Sequence, residues 1–248
     1  LQQLNFEGQN KVEVAISLLQ AWEPQEGYYL AFSGGKDSVA IYDLAVKAGV
    51  KFDAHYCVSP IDPKEIHDFI KLNYPDVIWD YHAKGFWQQV DRKGLPFRNH
   101  RWCCTVIKEA GGKNRVVVLG NRKAESPRRK QQCFVGQGRG NNKTKFYVQP
   151  IYDFDDYDIW QYLRENKLAH CSLYDEGYKR IGCVMCPYRA NPIEEAIRFP
   201  KIAYLWRRAC DHIVDARVSR NHMSKSGKPL KYQHKTGQEL FDWWIKRK

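Results

Sequence analysis

One stretch constrains this chain more than any other: Ser33-Gly34-Gly35-Lys36-Asp37-Ser38. An apolar run, Tyr28 to Phe32, leads into it, and an apolar-periodic run, Val39 to Val46, leads out. The first pattern predicts a buried strand and the second an amphipathic helix. A chain that passes through a glycine pair from strand to helix leaves the first helical N–H groups without internal partners. Those groups, with Lys36 adding charge, can bind phosphate. The spacing is not that of the Walker loop, which needs four residues between its first glycine and its Gly-Lys pair.

The segments that follow extend the same architecture. Residues 51–58 read as a second strand, Lys64 to Asn73 as a helix, and Val77 to Asp80 as a short third strand. Strands separated by helices at this spacing predict βαβ units and a parallel sheet with right-handed crossovers. Further strands are predicted at 114–119 and 146–151, and helices at 9–22, 159–164, 194–214 and 237–244. His55 and Cys57 read as strand packing. The acidic run Asp153 to Asp158 precedes a helix, where negative charge offsets the helix dipole without any metal.

Cysteine usage supplies a second constraint. Of eight cysteines, Cys103 and Cys104 are adjacent and Cys183 and Cys186 form a Cys-x-x-Cys pair. Eight cysteines in a reducing compartment do not suggest a disulfide framework. Four thiols suffice for tetrahedral zinc or for a [4Fe–4S] cluster, and the cysteines by themselves fit either.

The formal net charge is +12, from 40 Lys and Arg against 28 Asp and Glu, which favours polyanionic partners. Arg122 to Lys145 holds eight basic residues and one acidic, and Arg217 to Lys235 holds six Lys or Arg and no acid. Gly120, at the carboxyl end of a predicted strand, lets a ligand approach the backbone, and the arginines beyond it can clamp phosphate or sulfate. Residues 136–145 show no hydrophobic period and read as a flexible loop. No apolar run reaches 18 residues, and no basic-then-apolar leader opens the sequence, so a cytoplasmic setting with no membrane span is expected.

The Ser33–Ser38 loop resembles the pyrophosphate-binding loop of the PP-loop ATP pyrophosphatase superfamily. The order Gly120-x-Arg122-x-x-Glu125-Ser126-x-Arg128 resembles a second signature of its phosphoadenylylsulfate reductase branch. The Cys-Cys…Cys-x-x-Cys set is similar to the [4Fe–4S] site of adenylylsulfate reductases. The resemblance implies a doubly wound, mostly parallel α/β fold. It divides the chain into an N-terminal helix (1–26), a PP-loop domain bearing the cysteines (27–190) and a basic helical extension (191–248).

It also implies ATP with Mg²⁺ held by Ser33, Gly34, Gly35, Lys36, Asp37, Ser38, Gly120, Arg122, Glu125 and Ser126. Lys36, Asp37, Arg122 and Arg128 are then the expected catalytic residues, and Cys103, Cys104, Cys183 and Cys186 the ligands of a [4Fe–4S] cluster. No Glu-Cys-Gly, the motif carrying the nucleophile of the sulfonucleotide reductases, occurs in the 248 residues. The expected reaction is therefore closest to that of the cluster-bearing sulfurtransferases of bacterial DNA phosphorothioation. There, α–β cleavage of ATP activates a nucleic-acid phosphate, the expected partners being DNA and a cysteine desulfurase as sulfur donor. The alternatives are an adenylylsulfate or phosphoadenylylsulfate reductase, and a non-catalytic nucleic-acid-binding subunit.

Overall fold

A computed structural model describes residues 8–82, 85–224 and 226–246. The expected N-terminal segment 1–26 lies outside these for residues 1–7, as does Lys225 of the basic loop. The described part of the first segment forms helix α1 (Lys11–Ala21), which Asn10 opens by accepting the Val12 N–H at 2.9 Å.

The alternation of strand and helix appears as predicted. Strand β1 (Tyr28–Phe32) runs into helix α2 (Lys36–Ala48), which ends at Gly49 with φ 66°. Then come β2 (Phe52–Cys57), α3 (Lys64–Asn73) and β3 (Ile78–Asp80). After β4 (Val116–Val118), β5 (Val135–Gln137) and β6 (Phe146–Val148), helix α5 (Asp156–Glu165) closes the series. Helix α4 (Phe86–Lys93) precedes the first cysteine pair, and α6 (Pro192–Arg198), α7 (Pro200–Val218) and α8 (Gly237–Ile245) follow the second.

Six strands make one sheet in the order β3-β2-β1-β4-β6-β5, with every pairing parallel except β5 on β6. β1 lies centrally, and the order reverses direction beside it. In open α/β sheets this is where ligands bind, outside the carboxyl ends of the strands. The Ser33–Ser38 loop occupies that end of β1.

Two predicted elements differ, and one helix is additional. Residues 136–145 are not simply a loop: Val135–Gln137 pairs antiparallel with β6, and Gly138 N–H donates to the Lys145 carbonyl at 2.9 Å. The segment is a hairpin whose polar, glycine-rich sequence hides the strand, because its strand is only three residues long. The helix expected over 194–214 is broken at Phe199. Pro200 has no N–H to continue α6 and instead serves as the first residue of α7. Helix α4 went unpredicted.

The chain forms two compact units. The first comprises 1–58, 64–81 and 109–182; the second comprises 59–63, 82–108 and 183–248. The whole sheet lies in the first. Both cysteine pairs lie in the second, so the grouping by contacts does not follow the expected division at residue 190. The backbone passes from one unit to the other several times, which a linear boundary cannot express.

Candidate functional site

In the first unit the Ser33–Ser38 loop is built by side chains that hold its backbone. Ser38 Oγ donates to the Gly35 carbonyl at 2.8 Å and accepts the Ser33 N–H at 3.2 Å. Gly34 has φ 70°, and a Cβ there would stand 3.1 Å from Ile66 and Ile70 of α3. Only glycine combines that backbone conformation with that close approach. Gly120 is equally confined, since its Cβ would lie 3.2 Å from the Asp37 backbone. The carboxyl end of β4 thus rests against the first turn of α2.

Lys36 is 1 % exposed. A buried ammonium needs carboxylate partners, and it has two: Asp156 Oδ1 at 3.0 Å and Asp37 Oδ2 at 3.5 Å. Arg122, also buried, places Nε 2.6 Å from Asp37 Oδ1 and Nη2 3.0 Å from the same Asp156 oxygen. Two cations and two carboxylates therefore interlock, drawn from three separate parts of the sequence. Burial opposes the charge on Asp156, but Lys36 and Arg122 outweigh it and hold this carboxyl below its usual range. An anion entering here meets cations whose positions are already fixed, the arrangement that stabilises charge developing on a phosphate.

Two partners of Lys36 carry no signal in the sequence pattern. In the sequence Asp156 is one of several acids that balance a helix dipole. Asp155 performs the capping, accepting the Asp158 N–H at 2.9 Å, which leaves Asp156 to reach the cations. Tyr174 gave no signal, yet its hydroxyl accepts the Lys36 N–H at 3.0 Å. One of the loop's N–H groups, expected to await a ligand, thus has a protein partner. Burial pushes the Tyr174 phenol up, so the group stays neutral and keeps its proton.

The remaining predicted residues fall outside the four-charge cluster. Glu125 accepts the Arg122 N–H at 3.1 Å and pairs with Arg129 and with Arg180, the latter at 3.1 Å. It orders the basic segment. Ser126 Oγ accepts the Arg129 N–H at 3.3 Å. Arg128 is exposed, and its side chain makes no ion pair among the described residues.

In the second unit, Cys103, Cys104, Cys183 and Cys186 line one cavity of about 30 Å³ together with Lys108. Cys104 begins a π-helical turn (Cys104–Lys108), a form frequent at functional sites. Cys103 donates to Cys104 and, against the opposing effect of burial, Arg101 and Lys108 help to hold the Cys104 thiol below its ordinary range. Burial pushes the Cys183 thiol up to about 12, with Asp62 adding and Lys108 opposing.

The Cys-x-x-Cys turn is held from outside. The Val184 N–H donates to the Ile61 carbonyl at 2.7 Å, and the Met185 N–H to Glu195 Oε2 at 2.6 Å. Arg189 Nε lies 3.0 Å from the other Glu195 oxygen. The donor set fits a soft, thiolate-binding metal group. Among the described residues, however, no three His, Cys, Asp or Glu side chains form a ready site for a metal ion. The structure brings the four cysteines to one cavity and does not bring them to one point.

Residues 27–189 match the family described as the phosphoadenosine phosphosulfate reductase domain. The chain belongs to this family. An uncharacterized protein of Methanocaldococcus jannaschii is 30% identical over 65% of this chain and 41% of its own length. The chain spans about two fifths of the length of the archaeal relatives it matches. A protein named adenosine 5′-phosphosulfate reductase, from Lysinibacillus sphaericus, is 26% identical over 77% of this chain and 88% of its own length. The solved phosphoadenylyl-sulfate reductase of Candida auris, a phosphate complex, superposes with a TM-score of 0.52 at 14% identity, over 73% of this chain and 96% of that one. That likeness establishes the phosphoadenosine phosphosulfate reductase fold: an α/β architecture on a mostly parallel six-stranded sheet.

Proposed function

We propose that this chain is an ATP pyrophosphatase of the phosphoadenosine phosphosulfate reductase family. It would split ATP between the α- and β-phosphates and activate a nucleic-acid phosphate, in DNA, for sulfur insertion. The observation that carries the reading is the pair of buried cations, Lys36 and Arg122, each held by Asp37 and by the exposed Asp156 at the Ser33–Ser38 turn. Lys36 and the loop backbone would take the charge of departing pyrophosphate, and Arg122 would hold the α-phosphate or its acceptor. Asp37 and Asp156 keep both cations in place before the nucleotide arrives, and either carboxylate can help hold the Mg²⁺ of the nucleotide.

Cys103, Cys104, Cys183 and Cys186 would hold a [4Fe–4S] cluster, whose chemistry would be to carry sulfur or to order the site. The support is the donor type and the shared cavity. A cysteine desulfurase would supply the sulfur. The relatives named adenosine 5′-phosphosulfate reductase favour a second reading, in which the same pocket takes a sulfated nucleotide. Anaerobically purified protein given ATP and DNA should release pyrophosphate. Given adenylylsulfate and thioredoxin, it should release no sulfite. Sulfite without pyrophosphate would replace the first reading with the second. No helix among the described residues is long and apolar enough to cross a membrane. A cytoplasmic setting is part of the proposal.

A further inference from the structure

The net charge of this chain is not shared between its two units. The first holds 20 Lys and Arg and 20 Asp and Glu; the second holds 20 Lys and Arg against 8 Asp and Glu. The entire +12 therefore belongs to the unit that lacks the phosphate-type loop. A nucleotide pocket cannot account for it. An excess of this size concentrated on about 98 residues is the electrostatic footprint of a polyanion partner.

The second unit also contains a cleft of about 800 Å³, lined throughout by its own residues. That volume lies in the range of ligand-binding clefts. Arg98, Arg189 and Lys246 line it, and the carboxylate of Glu194 among them accepts a hydrogen bond from Asn191 at 2.9 Å. Its other walls include Phe97, Ile193 and Ile245, of which Ile193 is exposed. Trp244 also lines the cleft but is nearly buried, its indole N–H donating to the Pro96 carbonyl at 2.9 Å, and it offers a ligand little surface. Next to this wall Tyr188 is 54 % exposed, with the guanidinium groups of Arg98 and Arg101 at 5.9 and 5.1 Å from its ring. Cations for phosphates beside aromatic and apolar surface for unstacked bases is the composition that binds single strands. A duplex keeps its bases stacked inside and has no use for such a recess.

We infer that this cleft of the second unit binds a single-stranded segment of nucleic acid, with phosphates on Arg98 and Lys246 and bases against Tyr188 and the apolar wall. Cys186 lines both this cleft and the four-cysteine cavity, so a strand lying here reaches the cysteine centre at that residue. The inference deepens the nucleic-acid part of the proposed function and rests on it for the substrate class alone.

The test uses the full chain and a fluorescein-labelled oligothymidylate of about 20 nucleotides, a length that exceeds one such site, with a duplex of equal length as comparison. Anisotropy is read across a salt series. The single strand should bind at least tenfold more tightly than the duplex. Arg98→Gln combined with Lys246→Gln should weaken it about tenfold and lower the salt slope by about 1.4, the loss of two single-strand phosphate contacts. Arg139→Gln with Lys143→Gln, both exposed on the first unit, should change affinity less than twofold. An oligonucleotide bearing 5-iodouracil should crosslink on irradiation to peptides containing 97–101 or 185–194.

Duplex binding as tight as single-strand binding, crosslinks confined to 122–145, or an effect of the first-unit variant alone would each overturn the inference, as would no binding of either nucleic acid. Pyrophosphate release from ATP is scored separately. Its absence with intact strand binding counts against the nucleotide reading only, and the converse result counts against the cleft only.

Discussion

The two units treat positive charge in opposite ways. In the first, cations are matched one for one by carboxylates, and the decisive ones are buried in interlocking pairs: Lys36 and Arg122 with Asp37 and Asp156. In the second, cations outnumber carboxylates 20 to 8, and many of them, such as Arg98 and Lys246, are exposed. Neutralised, fixed cations suit a small ligand that must be positioned for reaction, because their geometry costs nothing to assemble when the ligand arrives. Unneutralised, exposed cations suit a long polyanion, which gains affinity by releasing counterions. The overall charge of +12 blurs this distinction, which becomes visible only when charge is assigned unit by unit.

Lys36 should separate the two units most clearly. Lys36→Ala should lower kcat for pyrophosphate release by at least about 10²-fold, in line with removal of a positioned charge, while oligonucleotide binding changes less than about twofold. Equal loss of both would mean that the units are not functionally separate. Cys183→Ser should remove most of the iron, read by metal analysis and by the visible absorption of anaerobic protein, and leave ATP binding within about threefold, since Cys183 lies in the second unit. Zinc at one per chain in the parent protein, with no iron, would contradict the cluster.

A smaller effect is expected at Asp156. Asp156→Asn leaves Lys36 and Arg122 one carboxylate short, and should reduce kcat about tenfold. Because its partners hold the Asp156 carboxyl below the usual value, its contribution to order in the loop is complete above the ordinary carboxylate range. That contribution is lost as pH falls through the lowered folded value. Melting temperature followed from neutral to acid pH should therefore fall less steeply in Asp156→Asn than in the parent. The smallest effect belongs to Arg128. Its exposed side chain lacks the anchoring of Arg122, so Arg128→Ala should change kcat/KM less than about threefold, and Arg122→Ala should change it by more than tenfold. Equal effects would show that Arg128 moves into the site with the nucleotide.

Much of the first unit was legible because its signals are local. The apolar run before Ser33, the glycine pair and the period of Val39 to Val46 place β1, the turn and α2 within a few residues. Lys64 to Asn73 is the helix predicted, end to end. The partners of Lys36 were not legible. Asp156 lies 120 positions away, and its acidic neighbours have a sufficient local explanation in the start of α5. Tyr174 sits on a short 3₁₀ turn, Ser172–Tyr174, that has no periodicity to detect. Pro200 signals the break before it, but the apolar period on either side reads straight through. The four cysteines were legible as a set, and the shared cavity agrees with that. Their placement in the unit without the sheet was not, because it depends on how three separate segments fold together.

The proposed function stands or falls on whether the Ser33–Ser38 turn, with Lys36 and Arg122, splits ATP between its α- and β-phosphates. The most direct measurement is to incubate anaerobically purified protein with α-labelled ATP and DNA and to follow the label and pyrophosphate together. The α-label, as AMP or as adenylylated DNA, should equal the pyrophosphate released, and both should be abolished by Lys36→Ala. ADP and inorganic phosphate, or no turnover of ATP alongside sulfite release from adenylylsulfate, would contradict the proposed function.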